Sequence, residues 1–353
     1  MGSGHIMRCA TLGGWLRQRG AEVTFICREL DGNYCDWLEA QGYSVLRLRK
    51  PLATDVPDHR LAHAHWLGVT QATDSVDVRH ALAGRFYDWL IVDHYALDAE
   101  WERELRTIAS RVMVIDDLAD RRHDADLLLD QNLQLHPNRY QGLVPDPCTL
   151  LLGPDYALLR PEFAHRRATT QTRTGEIKRL LVFMGGSDPL NLTARVLRAI
   201  AEARLLDVRT DVVLGAGSPH EAEVRKIAAA ITGCSIHIQT NAMATLMTEA
   251  DLMIGAPGSS TWERCCLGLP SVLIGFAANQ LELGRQIASR KAAIFLGEAD
   301  AIEQRNLPRI LRKLATKPEL LQRMSQRATR VTDGSGGTRV SAELFASGMQ
   351  RNG

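Results

Sequence analysis

DLMIGAPGSSTWERCCLGLPSVLIGFAANQ, residues 251–280, reads as two strand–turn units joined by a helix. The apolar run 252–254 ends in the small residues of 255–260. A helical pattern starts at Ser260 or Thr261, passes Glu263 and stops at Gly268 and Pro270. A second apolar run, 271–276, ends at Ala277, Ala278, Asn279 and Gln280. Each strand ends beside a helix start, and in parallel α/β sheets that edge is where ligands bind. A glycine-rich loop opening a helix offers backbone N–H groups and a positive dipole end, which suit phosphate. Glu263, one turn into the helix, is within reach of a ribose diol. A plain turn built by Pro257 and Gly258 accounts for the loop about equally well.

The same alternation runs outward in both directions. On the amino side, strands are predicted at 179–184, 210–214 and 235–239, with helices at 191–203, 219–231 and 241–250. On the carboxyl side come a helix at 280–291, a strand at 293–296, helices at 301–315 and 318–331, and a final helix after the loop 334–337. The first half shows an earlier series. Helices are expected at 5–19, 34–41, 57–83 and 98–109, and strands at 23–27, 45–48, 88–93, 112–115 and 126–130. Strands alternating with helices predict parallel, doubly wound sheets. The stretch 165–178, HRRATTQTRTGEIK, has almost no apolar residue and reads as a linker. The fold class is therefore α/β with two Rossmann-like domains. The first spans 1–163, the linker 164–178 and the second 179–353, with an expected cleft between the carboxyl edges of the two sheets.

At 353 residues, 45% apolar and 24% charged, the composition is that of a globular protein of about two domains. A net charge of +1 argues against a nucleic-acid surface. No apolar run approaches the ~20 residues that span a bilayer, and no stretch looks basic and amphipathic enough to dock on one. The amino terminus does not read as a signal peptide. Seven cysteines without a C-x-x-C pair read as reduced, buried thiols. A cytoplasmic protein, unassociated with membrane or nucleic acid, is the expectation.

The glycine loop at residues 2–4 comes before any strand. In a doubly wound sheet such a loop follows the first strand, which is usually central. The sequence therefore reads as starting late, with the first strand of the amino-terminal domain missing and its neighbours left without partners. His5 stands directly after that loop. A histidine there can serve as a general base near neutral pH, although a frayed surface residue or part of a purification scar is the plainer reading. Gly185, Gly186, Ser187 and Asp188 follow a strand and open a helix, which permits either an anion site or a tight turn. Asp93, Tyr95, Asp116 and Asp117 end strands of the first half. They are candidates for sugar hydroxyls or for orienting a histidine. Adjacent aspartates on a strand point to opposite faces, so a metal site is not expected.

Taken in order, GSGHIMRC, VDHY, IDDL, GPDYALLRPEF, GGSDPLN and GSSTWE…GLP…NQ resemble the UDP-2,4-diacetamido-2,4,6-trideoxy-β-L-altropyranose hydrolases of pseudaminic acid biosynthesis. The resemblance covers roughly residues 2–300 and implies the GT-B fold, similar to the peptidoglycan N-acetylglucosaminyltransferase. It implies that His5 activates water against the anomeric carbon, with C–O cleavage, inversion, and release of UDP and free sugar without a metal or other cofactor. Gly2 and Ser3 would line the substrate. Gly186, Asp188, Gly258, Ser259 and Glu263 would hold uracil, ribose and diphosphate. Asn279, Tyr95 and Arg160 would contact sugar or phosphate. A UDP-sugar is the expected partner and a monomer the expected state. A GT-B glycosyltransferase using a UDP-sugar donor and a non-catalytic nucleotide-sugar-binding protein are the alternatives.

Overall fold

The computed structural model describes residues 3–52, 55, 60–133, 136, 138–170, 173–304 and 306–349, with Ser3, Asn279, Gln304 and 348–349 described by backbone alone. The chain forms two compact units. One comprises residues 1–158 together with 336–353, the other residues 159–335.

In the first unit the elements run α1 (Ser3–Gln18), β1 (Thr24–Arg28), α2 (Cys35–Ala40), β2 (Ser44–Leu48), α3 (Gln71–Leu82), β3 (Tyr87–Val92), α4 (Ala99–Leu105), β4 (Ala109–Ile115), β5 (Leu127–Asp130) and β6 (Thr149–Leu152). Local chemistry sets several ends. Thr70 accepts from the Thr73 amide to start α3, and Ala83 ends it in the left-handed conformation. Asp98 caps α4 through the Glu100 amide. Only part of the predicted helix 57–83 forms: residues 56–59 lie outside the described residues, Ala64–Trp66 is a 3₁₀ turn, and Thr70 restarts the chain as α3. The strands form two parallel sheets, β1–β2 and β3–β4–β5–β6. One apolar layer gathers Val78 and Leu82 of α3 with Trp101 and Leu105 of α4. The opposite layer gathers Leu12 and Leu16 of α1 with Val340 and Leu344 of the last helix, Gly336–Met349.

That last helix differs from the sequence reading, which grouped it with 179–353. It packs on the first unit because its apolar face fits there. The Trp89 indole donates to the Leu344 carbonyl at 3.1 Å. A Cβ on Gly337 would stand 2.1 Å from the Trp15 ring, so only glycine permits the approach to α1.

The second unit opens with α5 (Pro161–Thr169), where the sequence reading placed a linker. Pro161 and Glu162 suit a helix start, Phe163 is fully buried, and Arg166 and Arg167 sit in the last turn. Arg167 donates to the carbonyls of Cys266, Thr329 and Thr332. The helix is thus fixed by distant carbonyls rather than by an apolar stripe of its own. Then follow β7 (Arg179–Phe183), α6 (Leu192–Ala203), β8 (Arg209–Leu214), α7 (Glu221–Ala228), β9 (Cys234–Ile238), α8 (Met243–Glu249), β10 (Leu252–Gly255), α9 (Ser260–Cys266), β11 (Ser271–Gly275), α10 (Ala278–Ser289) and β12 (Ala293–Glu298), with three helices after them. The sheet order is β12–β11–β10–β7–β8–β9, all parallel. This is the doubly wound order, and its switch point lies between β7 and β10. Among the described residues no helix is long and apolar enough to cross a membrane.

Candidate active site

In the first unit, His5 lies in the first turn of α1 and Asp93 directly follows β3. The His5 Nδ1 is 2.6 Å from Asp93 Oδ1. Arg8, one turn further along α1, donates to both Asp93 oxygens at 2.7 and 2.6 Å. Cys9 adds a thiol contact at 3.3 Å. Burial works to raise the Asp93 carboxyl, but the Arg8 and His5 charges and hydrogen bonds outweigh it and hold the group well below the usual carboxylate range. Asp93 is therefore an anion that accepts from His5 Nδ1–H. In the neutral imidazole that donor role leaves the lone pair on Nε2. Among the described residues nothing hydrogen-bonds Nε2.

Tyr95 packs edge-on against the His5 ring with centroids 4.6 Å apart. Its hydroxyl donates to Asp117, which also receives Arg8 Nη1 at 3.3 Å. Burial and the Asp117 charge push the phenol well above its ordinary value, so Tyr95 is a neutral donor. The neighbouring His94 is of another kind. Burial lowers it to about 4, and its Nδ1 accepts from the Ala96 amide at 3.1 Å. It stays neutral and shapes the turn after β3. The adjacent aspartates part as expected: Asp117 joins the His5 cluster, while Asp116 is buried against Arg121 at 2.9 Å. Gly2 lies outside the described residues, and Ser3 is described only as the first residue of α1.

In the second unit the loops after β7 and β10 flank the switch point. Gly185 has φ +94°, and a Cβ on Gly215 at the end of β8 would sit 1.9 Å from the Gly186 carbonyl. Gly255 is equally constrained by the Phe183 carbonyl, 2.5 Å from its virtual Cβ. At Gly258 a Cβ would meet nothing within 4 Å, so that glycine keeps open space next to the loop. Ser259 is exposed beside it. Gly258 uses its own amide on the Ala256 carbonyl at 3.1 Å. The helix α9 has only seven residues, so loop amides rather than a long helix dipole are what this edge offers.

Asp188, expected at the ligand, has a role within the fold. Its two carboxylate oxygens accept the amides of Leu192 and Thr193 at 2.8 and 2.9 Å, and it is buried. It starts α6 and so anchors the loop 185–189. Glu263 faces partly open space with 21% of its side chain exposed. Burial raises its carboxyl, and Arg160 at 3.9 Å pulls it back toward the anion. Arg160 itself pairs with Glu162 at 2.8 Å and stacks on Phe163, so it attends Glu263 rather than standing alone. Asn279 is the second residue of α10, described by backbone only.

Asp93 was among the strand-end residues named for sugar hydroxyls or for orienting a histidine, and its pairing with His5, which spans 88 positions, singles it out from them. Arg264 was passed over entirely. It is buried beneath the loop, donating to the Ala256 carbonyl at 3.2 Å and to Thr261 at 2.7 Å, and burial lowers it to about 10. A lone arginine between Trp262 and Cys265 on a short apolar helix is the signal that marks it. Among the described residues no three histidine, cysteine or carboxylate side chains converge with metal-ligand spacing.

Residues 180–336 match the glycosyltransferase family 28 C-terminal domain. The spore coat polysaccharide biosynthesis protein SpsG of Bacillus subtilis is 31% identical over 193 residues, 54% of this chain and 57% of that protein. The chain thus spans little more than half the length of this relative. The UDP-2,4-diacetamido-2,4,6-trideoxy-β-L-altropyranose hydrolase of Campylobacter jejuni is 22% identical over 291 residues, 82% of this chain and 93% of that protein. Among solved structures, MurG of Acinetobacter baumannii superposes with a TM-score of 0.65 at 14% identity, covering 98% of this chain and 97% of that one. The fold is therefore the two-domain GT-B fold, and the family resemblance carried by the ordered motifs holds along most of the chain.

Proposed function

We propose that the protein hydrolyses a UDP-linked 2,4-diacetamido-2,4,6-trideoxyhexose, releasing UDP and the free sugar. The observation that carries this reading is the His5–Asp93 pair, 2.6 Å apart and braced by Arg8. An imidazole whose Nδ1–H is held by a buried anion presents Nε2 to take a proton from water. The water oxygen bonds to the anomeric carbon as the bond from that carbon to the phosphate oxygen breaks. The electron pair leaves with UDP, and attack from the face opposite UDP inverts the anomeric centre. Tyr95, packed edge-on against the imidazole, restrains the ring. On the second unit, Glu263 would accept from the ribose hydroxyls, and the loops after β7 and β10 would offer donors to the diphosphate as it gains charge.

The similarity to the Campylobacter hydrolase supports the reaction class. The match to a glycosyltransferase domain favours one competing reading, transfer of the sugar to an acceptor. Incubation with the UDP-sugar in ¹⁸O-water separates them. UDP release without an acceptor, with label in the sugar, is expected. UDP release only after an acceptor is added would replace hydrolysis by transfer, and label in UDP would place the cleavage at phosphorus. His5→Asn should lower kcat by about 10²–10⁴. Turnover should survive a chelator.

A further inference from the structure

Beside His5 lies a group of rings that the His5–Asp93 pair does not use. Tyr95, packed edge-on against His5, also meets His63, with centroids 5.6 Å apart, and Trp66, with centroids 5.9 Å apart. The His63 and Trp66 rings are themselves 4.5 Å apart. These rings come from two loops of the first unit, one around the 3₁₀ turn Ala64–Trp66 and one directly after β3.

Both loops are fixed on the same core. Leu67 and Val69, which follow the 3₁₀ turn, share an apolar cluster with Ala96 and Leu97, which follow Tyr95. Gly68 adopts φ +76°, and a Cβ there would stand 2.7 Å from the Pro51 ring. The turn is thus held from both sides, and it presents Trp66 and His63 against Tyr95 in one arrangement.

The polar tips set this group apart from ordinary core. Trp89 and Trp101 give their indole N–H groups to the Leu344 carbonyl and the Asp74 carboxylate. Among the described residues nothing accepts from the Trp66 indole and nothing hydrogen-bonds the His63 ring. Both residues are only partly buried, whereas Tyr95 behind them is buried. A braced aromatic ring with an uncommitted donor at its open edge suits a group that is apolar at one end and a hydrogen-bond acceptor at the other. An acetamido group has that form, with a methyl for the rings and a carbonyl oxygen for the indole N–H. An anion is a poorer match, because the Arg121 guanidinium over the Tyr95 ring is already paired with Asp116 and Asp120.

We propose that Trp66, backed by His63 and Tyr95, is the specificity-determining residue for the 2-acetamido group of the sugar. The identity of the sugar rests on the reaction proposed above. A base that takes a proton from the attacking water stands beside the anomeric carbon. The substituent on the next ring carbon then falls against what packs beside the base. In a 2,4-diacetamido sugar that substituent is an acetamido group.

The test is calorimetry in the His5→Asn background, where turnover is slow enough to titrate. Three ligands are compared: UDP, the UDP-linked diacetamido sugar, and its analogue with a hydroxyl in place of the 2-acetamido group. With Trp66 intact, the acetamido sugar should bind at least about tenfold more tightly than the hydroxyl analogue. Trp66→Ala should weaken the acetamido sugar by about 10–100-fold, the analogue by less than about threefold, and UDP not at all. Trp66→Phe, which keeps a ring but has no N–H, should weaken the acetamido sugar by about 3–10-fold. Equal weakening of sugar and analogue, or a matching loss of UDP affinity, would make Trp66 a structural residue and overturn the proposal. So would a protein with Trp66 intact that does not distinguish sugar from analogue. These measurements read binding alone, so they decide the proposal whether the sugar passes to water or to another acceptor. The hydrolysis reading fails separately, if the wild type releases no UDP from the sugar in water.

Discussion

At Asp93 three donors converge on one carboxylate, and the chemistry of His5 depends on all of them. Asp93→Asn keeps the shape but loses the charge. The imidazolium formed on proton transfer is then no longer stabilised, and kcat should fall by about 10²–10⁴ with KM nearly unchanged, read by steady-state kinetics. Arg8 also loses its bidentate anion, which should cost about 3–5 kcal/mol in urea unfolding. The sign with pH follows from the depressed carboxyl. Its contribution is complete above the ordinary aspartate value of about 3.9 and drains away as pH falls toward the lower folded value. The stability gap between wild type and variant should therefore narrow below about pH 4. Glu263 has the opposite shift. Its raised carboxyl stays protonated to higher pH than an ordinary glutamate, and only the anion accepts from both ribose hydroxyls. UDP affinity measured by calorimetry should fall as pH is lowered through a midpoint above the ordinary value of about 4.3. Glu263→Gln should bind about 10–100-fold more weakly and lose that dependence.

Among the elements, the β7–β8 edge is set by backbone contact. Gly215→Ala drives a methyl into the Gly186 carbonyl, and neither partner is a flexible side-chain tip. Destabilisation of about 1–3 kcal/mol is expected, with weaker UDP binding because the loop anchored by Asp188 must move. The alternation of strands and helices was legible because each buried strand is a short apolar run between turn residues. The helix α5 was not, because its residues 165–169 are polar apart from Ala168 and its hold on the fold runs largely through Arg167 to carbonyls about 100 or more positions away. The helix-capping role of Asp188 went unread for a related reason. A carboxylate at a strand end looks the same in sequence whether it meets a substrate or caps the next helix. His5 was legible as a candidate and Asp93 as one of several residues that could orient a histidine, but nothing local in VDHY or IDDL tells which of them pairs with it.

For the whole molecule, the division at residues 158 and 335 matters more than the midpoint suggested by composition. The sequence 179–353 looks like a tidy second half, yet it omits α5 and includes a helix whose Val340 and Leu344 are buried in the first unit. A fragment of residues 159–335 should unfold cooperatively and bind UDP. A fragment of residues 179–353 should unfold less cooperatively and bind a hydrophobic dye, as circular dichroism, calorimetry and dye fluorescence would show. Equal behaviour of the two would refute the assignment of the last helix.

The return of that helix to the first unit also orders events on the ribosome. Residues 1–158 emerge before the second unit, with the apolar faces of Leu12, Leu16 and Met113 already made, but the helix that covers them is synthesised only after that unit. Between the two lies the whole of the second unit, on the order of ten to thirty seconds of translation at about 5–20 residues per second. The nascent first unit must wait that long with one side of its core open, so chaperone demand and aggregation in the cell should track the speed of elongation through the second unit.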